Sequence, residues 1–226
     1  ENFGWKRVLI EGNPAFHSDI AHLTEAAFVK AAVCKKEMLV HYVQQKEFPM
    51  ASGIAEFMDH QLVKNFHREL LKSALVNGNP RTFNMSRVDW NSLTSTTFQM
   101  VNCIPMQKIL STVGLGHVNF FILDVEGAEV GVLESIDFTR TVFDVLVIEK
   151  NHNIWVRGAP HPVETFMKDK PYVRVASKGR NLWYRHKDFT LSLRPGLNDN
   201  CYRGCVRNYW KGCQAGWCSE TDLEHT

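Results

Sequence analysis

The stretch Val118-Asn119-Phe120-Phe121-Ile122-Leu123-Asp124-Val125-Glu126-Gly127 decides the fold. Its first six residues are an almost unbroken apolar run, the pattern of a strand covered on both faces in a parallel sheet. The next four end that strand with two carboxylates and a glycine. A helix carrying Val130, Leu133 and Ile136 follows, and then a second continuous strand, Val142 to Ile148, closed by Glu149-Lys150-Asn151-His152. Far upstream, Val8-Leu9-Ile10 repeats the pattern and is closed by Glu11-Gly12-Asn13-Pro14. There Asn13 reads as a helix cap and Pro14 as the first helical residue, with Phe16, Ile20, Leu23 and Ala27 on one helix face. Strands alternating with amphipathic helices indicate βαβ units, an α/β sheet and right-handed crossovers.

The segments between these units read less regularly. Phe28 to Cys34 is expected to be a strand, with Met38 to Gln44 as its hairpin partner at the sheet edge. Gln61 to Val76 is expected to be one amphipathic helix (Leu62, Phe66, Leu70, Leu75), capped by Asn77-Gly78. Residues 80–106 read as two strands around a polar Ser/Thr stretch, an insertion over one edge. After Pro162 a short helix leads to a hairpin, Tyr172–Ser177 and Asn181–His186, turning at Lys178-Gly179-Arg180.

Composition sets the outer bounds. The 226 residues are 44% hydrophobic and 22% charged, which excludes a disordered or low-complexity scaffold. A net charge of +2 carries no nucleic-acid footprint. No apolar run approaches the roughly 18 residues that span a bilayer. Arg174, Lys178, Arg180, Arg185 and Lys187, with Trp183 and Tyr184, are read as a solvated hairpin rather than a nucleic-acid face.

Ligands of an open α/β sheet bind beyond the carboxyl ends of its strands. Here three such ends carry acids: Glu11, Asp124 with Glu126, and Glu149. Asp124 and Glu126 are two apart at the strand exit and can aim to one side. Gly127 lets the backbone approach a ligand closely. Any one carboxylate near a helix start is also favoured by the helix dipole alone; three ends together indicate a nucleotide-like ligand.

The words of these ends resemble a known family. Ile122-Leu123-Asp124-Val125-Glu126-Gly127-Ala128-Glu129, with Val132-Leu133-Glu134, is similar to the signature of the FkbM family of S-adenosylmethionine-dependent methyltransferases. Gly4-Trp5 through Ile10-Glu11-Gly12-Asn13-Pro14 resembles that family's second strand, Ala31-Ala32-Val33-Cys34 its third, and Val101-Asn102-Cys103-Ile104-Pro105-Met106 the approach to its fourth. Ser52-Gly53-Ile54 and Gly179-Arg180-Asn181-Leu182-Trp183 resemble segments of eukaryotic members. The resemblance runs from about residue 3 to about residue 189.

It implies an α/β, Rossmann-like class I methyltransferase sheet, mostly parallel and seven-stranded, with a reversed hairpin strand at the end. It implies S-adenosyl-L-methionine as cofactor and a small-molecule or glycan acceptor, usually methylated on oxygen. By position, Glu11 would hold the ribose hydroxyls, and Ala32, Val33 and Cys34 would border the adenine, with Asn13 and Gly127 also against the cofactor. Asp124 and Glu126 would sit where methionine moiety and acceptor meet; Glu149, Asn151 and His152 would line the acceptor side. Asp124, Glu126 and His152 are the catalytic candidates, His152 by its intrinsic pKa, although a lone loop histidine is also a common surface residue. A divalent metal on Asp124, Glu149 and Asn151 is chemically reasonable, but the site is taken as metal-free.

The family's first strand and Gly-rich loop would precede Phe3 and are not among these residues. The chain therefore reads as incomplete at its N-terminus, with weak or no cofactor binding and an exposed apolar seam between the family's second and fourth strands. The expected division is a methyltransferase-like domain over 1–190 and a cysteine-rich tail over 191–226. In the tail, Cys201, Cys205, Cys213 and Cys218 read first as two disulfides, with a four-thiolate zinc site or free thiols as alternatives. The sequon Asn84-Met85-Ser86 favours a secretory-pathway lumen. The competing function is a non-catalytic, methyltransferase-like interaction protein of that pathway.

Overall fold

The computed structural model describes residues 6–22, 26–48, 51–58, 60–76, 79–150 and 160–190. The first strand, β1 (Arg7–Glu11), runs into a single 3-10 turn, Pro14–Phe16. A short helix, α1 (His17–Ala21), follows, and then β2 (Ala26–Lys30), parallel to β1. Asn13 caps the turn as expected, its side chain accepting from the Ala15 N–H at 3.0 Å. The helical stretch is shorter than its periodicity implied, because Ala27 already lies in β2. The chain kinks at the buried Ala31 before β3 (Ala32–Val33), so the single strand expected over 28–34 is two.

The next segment is a small sheet with its own core. It holds β4 (Met38–Gln44), β5 (Gly53–Ile54) and two helices that meet at His67, α2 (His60–Phe66) and α3 (Arg68–Ala74). A two-strand ladder, β6 (Leu75–Val76) with β7 (Asn79–Phe83), follows α3. Then comes β8 (Thr97–Ile104), which pairs antiparallel with β4 and parallel with β3. The hairpin partner of β4 is thus β8 and not the preceding strand. The helix expected over 61–76 breaks because the His67 side chain is used elsewhere: its Nε2–H donates to the Ala51 carbonyl at 2.7 Å. Leu62, Val63, Leu70 and Ala74 pack with Val43, Ala55 and Met58 as the core of this insertion.

The remaining elements are α4 (Met106–Thr112), β9 (His117–Leu123), α5 (Glu129–Glu134), β10 (Val142–Glu149), α6 (Pro162–Met167), β11 (Tyr172–Lys178) and β12 (Asn181–His186). Their strand order is β11-β12-β10-β9, with β9 and β10 parallel and the β11–β12 hairpin antiparallel. Helices α4, α5 and α6 bury Ile109, Leu110, Val132, Leu133, Val163 and Met167 with Phe143, Leu146 and Ile148 of β10 in the main core. Each fully buried large side chain contributes on the order of 1.5–3 kcal/mol. The Phe143 N–H, beyond the reach of β12, instead donates to the Tyr172 hydroxyl at 3.1 Å.

The chain is therefore a mixed α/β fold, and its pairing is not mostly parallel. The hairpin β11–β12 and the inserted β4, β5 and β8 add antiparallel ladders, and the described strands form separate sheets rather than one. Nor is β9 covered on both faces. One edge has no strand partner among the described residues, and Phe120 and Ile122 are 39% and 63% exposed. No helix among the described residues is long and apolar enough to cross a membrane. The chain divides into two units, Glu1–Lys187 and Asp188–Thr226, and the fold described lies in the first. The tail cysteines, Asn151 and His152 lie outside the described residues.

Candidate active site

At the end of β1, the Glu11 Oε1 accepts the Asn13 backbone N–H at 2.5 Å, and its backbone carbonyl meets His17 Nε2 at 2.9 Å. The first of these bonds fixes the carboxylate while its second oxygen keeps acceptor capacity. A Cβ at Gly12 would lie 3.2 Å from the Ala32 backbone, tighter than ordinary contact, so glycine suits the close approach of the β1 end to β3.

Tyr42 of β4, which sequence reasoning missed, sits among these groups. Its phenol is hydrogen-bonded to the Asn13 side chain, and its pKa is raised well above the ordinary tyrosine range. Burial is the main cause, and the charges of Glu11 and Glu126 add to it. Tyr42 is thus bonded at the β1 end and lies within electrostatic reach of Glu126; in the sequence it was one residue of an alternating strand, with nothing to set it apart.

The 124–127 loop is held in an unusual conformation. Glu126 has φ of 51° and Gly127 φ of 108°, both in the left-handed region that a non-glycine residue seldom adopts. The buried Glu129 holds it, its Oε1 accepting the N–H groups of Val125 at 3.2 Å and Gly127 at 3.1 Å. Burial raises the Glu129 pKa, and those N–H donors oppose the rise.

This conformation gathers Asp124, Glu126 and Glu149, with one carboxylate oxygen of each within 4.8 Å of the others. Asp124 is exposed, Glu126 half-buried and Glu149 buried. Arg180 Nε lies 3.1 Å from Glu149 Oε1. Burial, then the adjoining Asp124 and the charge of Glu126, push the Glu149 pKa well above the carboxylate range; Arg180 opposes them. Arg180 thus reaches the carboxylate group from the hairpin turn. Arg174 of the same basic group pairs with Glu164.

Beside the loop is a cavity of about 310 Å³ lined by Val33, Cys34, Phe57, Gly127 and Ala128, with Lys35, Lys36, Met38 and Gly131. Its apolar wall fits a flat heterocycle, and Glu11 at the neighbouring strand end fits a pair of hydroxyls. The expected cofactor residues Glu11, Asn13, Val33, Cys34, Asp124 and Gly127 thus lie on the ends of β1, β3 and β9 and on the loop after β9. Cys34 is also bridged to Cys103 of β8, with Cα atoms 5.7 Å apart, a pairing not read from the sequence. A larger cavity, about 500 Å³, lies on the insertion between 44–48, 65–69 and 95–97. Of its two carboxylates, Glu47 and Glu69, the latter is occupied by the backbone N–H and hydroxyl groups of Thr94, Ser95 and Thr96, which hold its pKa far below the usual range.

The family model described as Methyltransferase FkbM domain matches residues 3–174. No curated protein and no solved structure matches the chain.

Proposed function

Because the chain belongs to the FkbM methyltransferase family, we propose that it transfers a methyl group from S-adenosyl-L-methionine to an oxygen of a small-molecule or glycan acceptor. The observation that carries this reading is the gathering of Asp124, Glu126 and Glu149 at the strand ends, with Gly127 on the wall of the apolar cavity. The bound cofactor supplies a methyl carbon already activated by its sulfonium, so the protein's task is alignment and removal of one proton. Glu11 accepts the ribose hydroxyls; Val33, Phe57 and Ala128 enclose the adenine. Asp124, exposed at the loop, faces the acceptor, with Glu126 beside it, and His152 is the candidate base from sequence. The parallel pairs β1–β2 and β9–β10, followed by the hairpin β11–β12, support a class I methyltransferase sheet order.

The Cys34–Cys103 disulfide, together with the exposed sequon at Asn84, supports residence in an oxidising secretory lumen. Residues 1–190 as catalytic domain and 191–226 as a disulfide-bonded appendage belong to the same proposal.

The test is calorimetric titration of the full-length protein with S-adenosylmethionine. Glu11→Ala and Asp124→Ala are each expected to weaken binding or abolish transfer. Near-native binding in both variants would sink the site assignment, and no binding by the wild-type protein would favour the non-catalytic alternative.

A further inference from the structure

The sequence holds one Asn-x-Ser/Thr triplet, Asn84-Met85-Ser86, and methyl transfer makes no use of it. Such triplets also arise by chance, so the placement of its side chains decides. The triplet follows β7 and leads into the 3-10 turn Met85–Arg87. Asn84 and Ser86 are exposed, whereas Met85 between them packs against the core of the insertion. The Asn84 backbone N–H donates to the Ala74 carbonyl at 2.9 Å, which pins the triplet to the end of α3. Asn84 Oδ1 accepts the Ser86 backbone N–H at 3.0 Å and the Ser86 hydroxyl at 2.8 Å. The amide oxygen is thus held toward its own turn, while the amide nitrogen donates to no acceptor among the described residues. A substituent on that nitrogen breaks no hydrogen bond of the fold. The second observation comes from elsewhere in the chain. Cys34 and Cys103, 3% and 1% exposed, are joined as a disulfide, a bond that persists in oxidising compartments and is rare in the cytosol. The secretory lumen, where such bonds form, is also where exposed asparagines of this triplet receive glycans.

We propose that Asn84 is a modification site and carries an N-linked oligosaccharide. The donor belongs to the polyisoprenyl-pyrophosphate-linked oligosaccharides. The Asn84 amide nitrogen attacks the anomeric carbon of the first sugar, and a C–N bond forms. The bond from that carbon to the phosphate oxygen breaks, polyisoprenyl pyrophosphate leaves with the electron pair, and the amide gives up one proton. No oxidant or reductant is needed. In the folded chain the sugar stands in solvent on the insertion, inside the ring of chain closed by the Cys34–Cys103 bond. The proposal rests on residence in an oxidising lumen, which the disulfide supports without the sequon, and it is independent of methyl transfer.

The test is intact-mass measurement of the full-length protein produced in eukaryotic cells, before and after peptide-N-glycosidase digestion. A single glycan per chain is expected, lost on digestion with Asn84 converted to aspartate. Asn84→Gln and Ser86→Ala are each expected to abolish it, and Ser86→Thr, which keeps the hydroxyl, to retain it. If Asn84→Gln does not fold, Ser86→Ala makes the same measurement with the asparagine in place. Alkylation of the same sample without reductant reports the state of Cys34 and Cys103. A closed bridge on a chain without glycan overturns the site and leaves the lumenal reading standing. Absence of glycan with both thiols alkylated overturns the two together. A glycan that survives in Asn84→Gln and Ser86→Ala overturns the assignment to Asn84.

Discussion

Glu129 shows how much one side chain can decide. It sits in the signature octapeptide, yet it faces inward and holds the Val125 and Gly127 amides that shape the loop. Glu129→Ala would leave two amides without their acceptor, at a cost of about 1–3 kcal/mol for each that stays buried. The expected outcome is a lower urea midpoint together with weaker donor binding, whereas Glu129→Gln, which keeps an acceptor oxygen, recovers most of both. Equal losses in both variants would mean that the charge, and not the hydrogen bonds, matters. At this scale the sequence was informative wherever a residue stood at a strand end: Glu11, Asp124, Glu126 and Glu149 were all legible. It was silent on Tyr42 and gave Arg180 only as part of a solvated hairpin, because each reaches these carboxylates from a strand or hairpin that only tertiary pairing brings there. It was silent on Cys34–Cys103 for the same reason, their separation of 69 residues being closed by the β3–β8 ladder.

Among the elements, the break between α2 and α3 was hidden by a periodicity that continues across it. Leu62, Phe66 and Leu70 keep helical spacing, but His67 leaves the helix pattern to bond Ala51 from a buried position. Burial lowers its pKa below the ordinary histidine value, against the opposing effect of the Ala51 carbonyl. The unfolded chain therefore binds a proton more readily than the folded one. The stability contributed by neutral His67 is fully present above the unfolded value near 6.5 and falls as pH drops through the window below it. Urea denaturation at pH 7.5 and 5.5 is expected to show a lower midpoint at the acid value, and His67→Gln is expected to reduce that difference. An undiminished difference would assign it to other histidines. The strands were read more accurately, because short continuous apolar runs bounded by polar ends have few alternatives; partners were misjudged where neighbours in sequence are not neighbours in the sheet, as with β4.

For the whole molecule, the Cys34–Cys103 bond has a consequence of connectivity. It closes a ring of chain around the entire insertion, from the lysines after β3 to Cys103 near the end of β8. In the chain-entropy account such a closure is worth about 4 kcal/mol against unfolding. A protease that cuts a loop inside the ring opens it without releasing either half, so the nicked protein stays one covalent piece. Limited digestion is expected to give fragments that run together on a gel without reductant and separate once a thiol is added, and separation without reductant would show the bridge to be open in solution. Because Cys34 also lines the apolar cavity, the ligand wall and the insertion are fastened at one point: the insertion can loosen, exchange or be trimmed while the wall keeps its anchor.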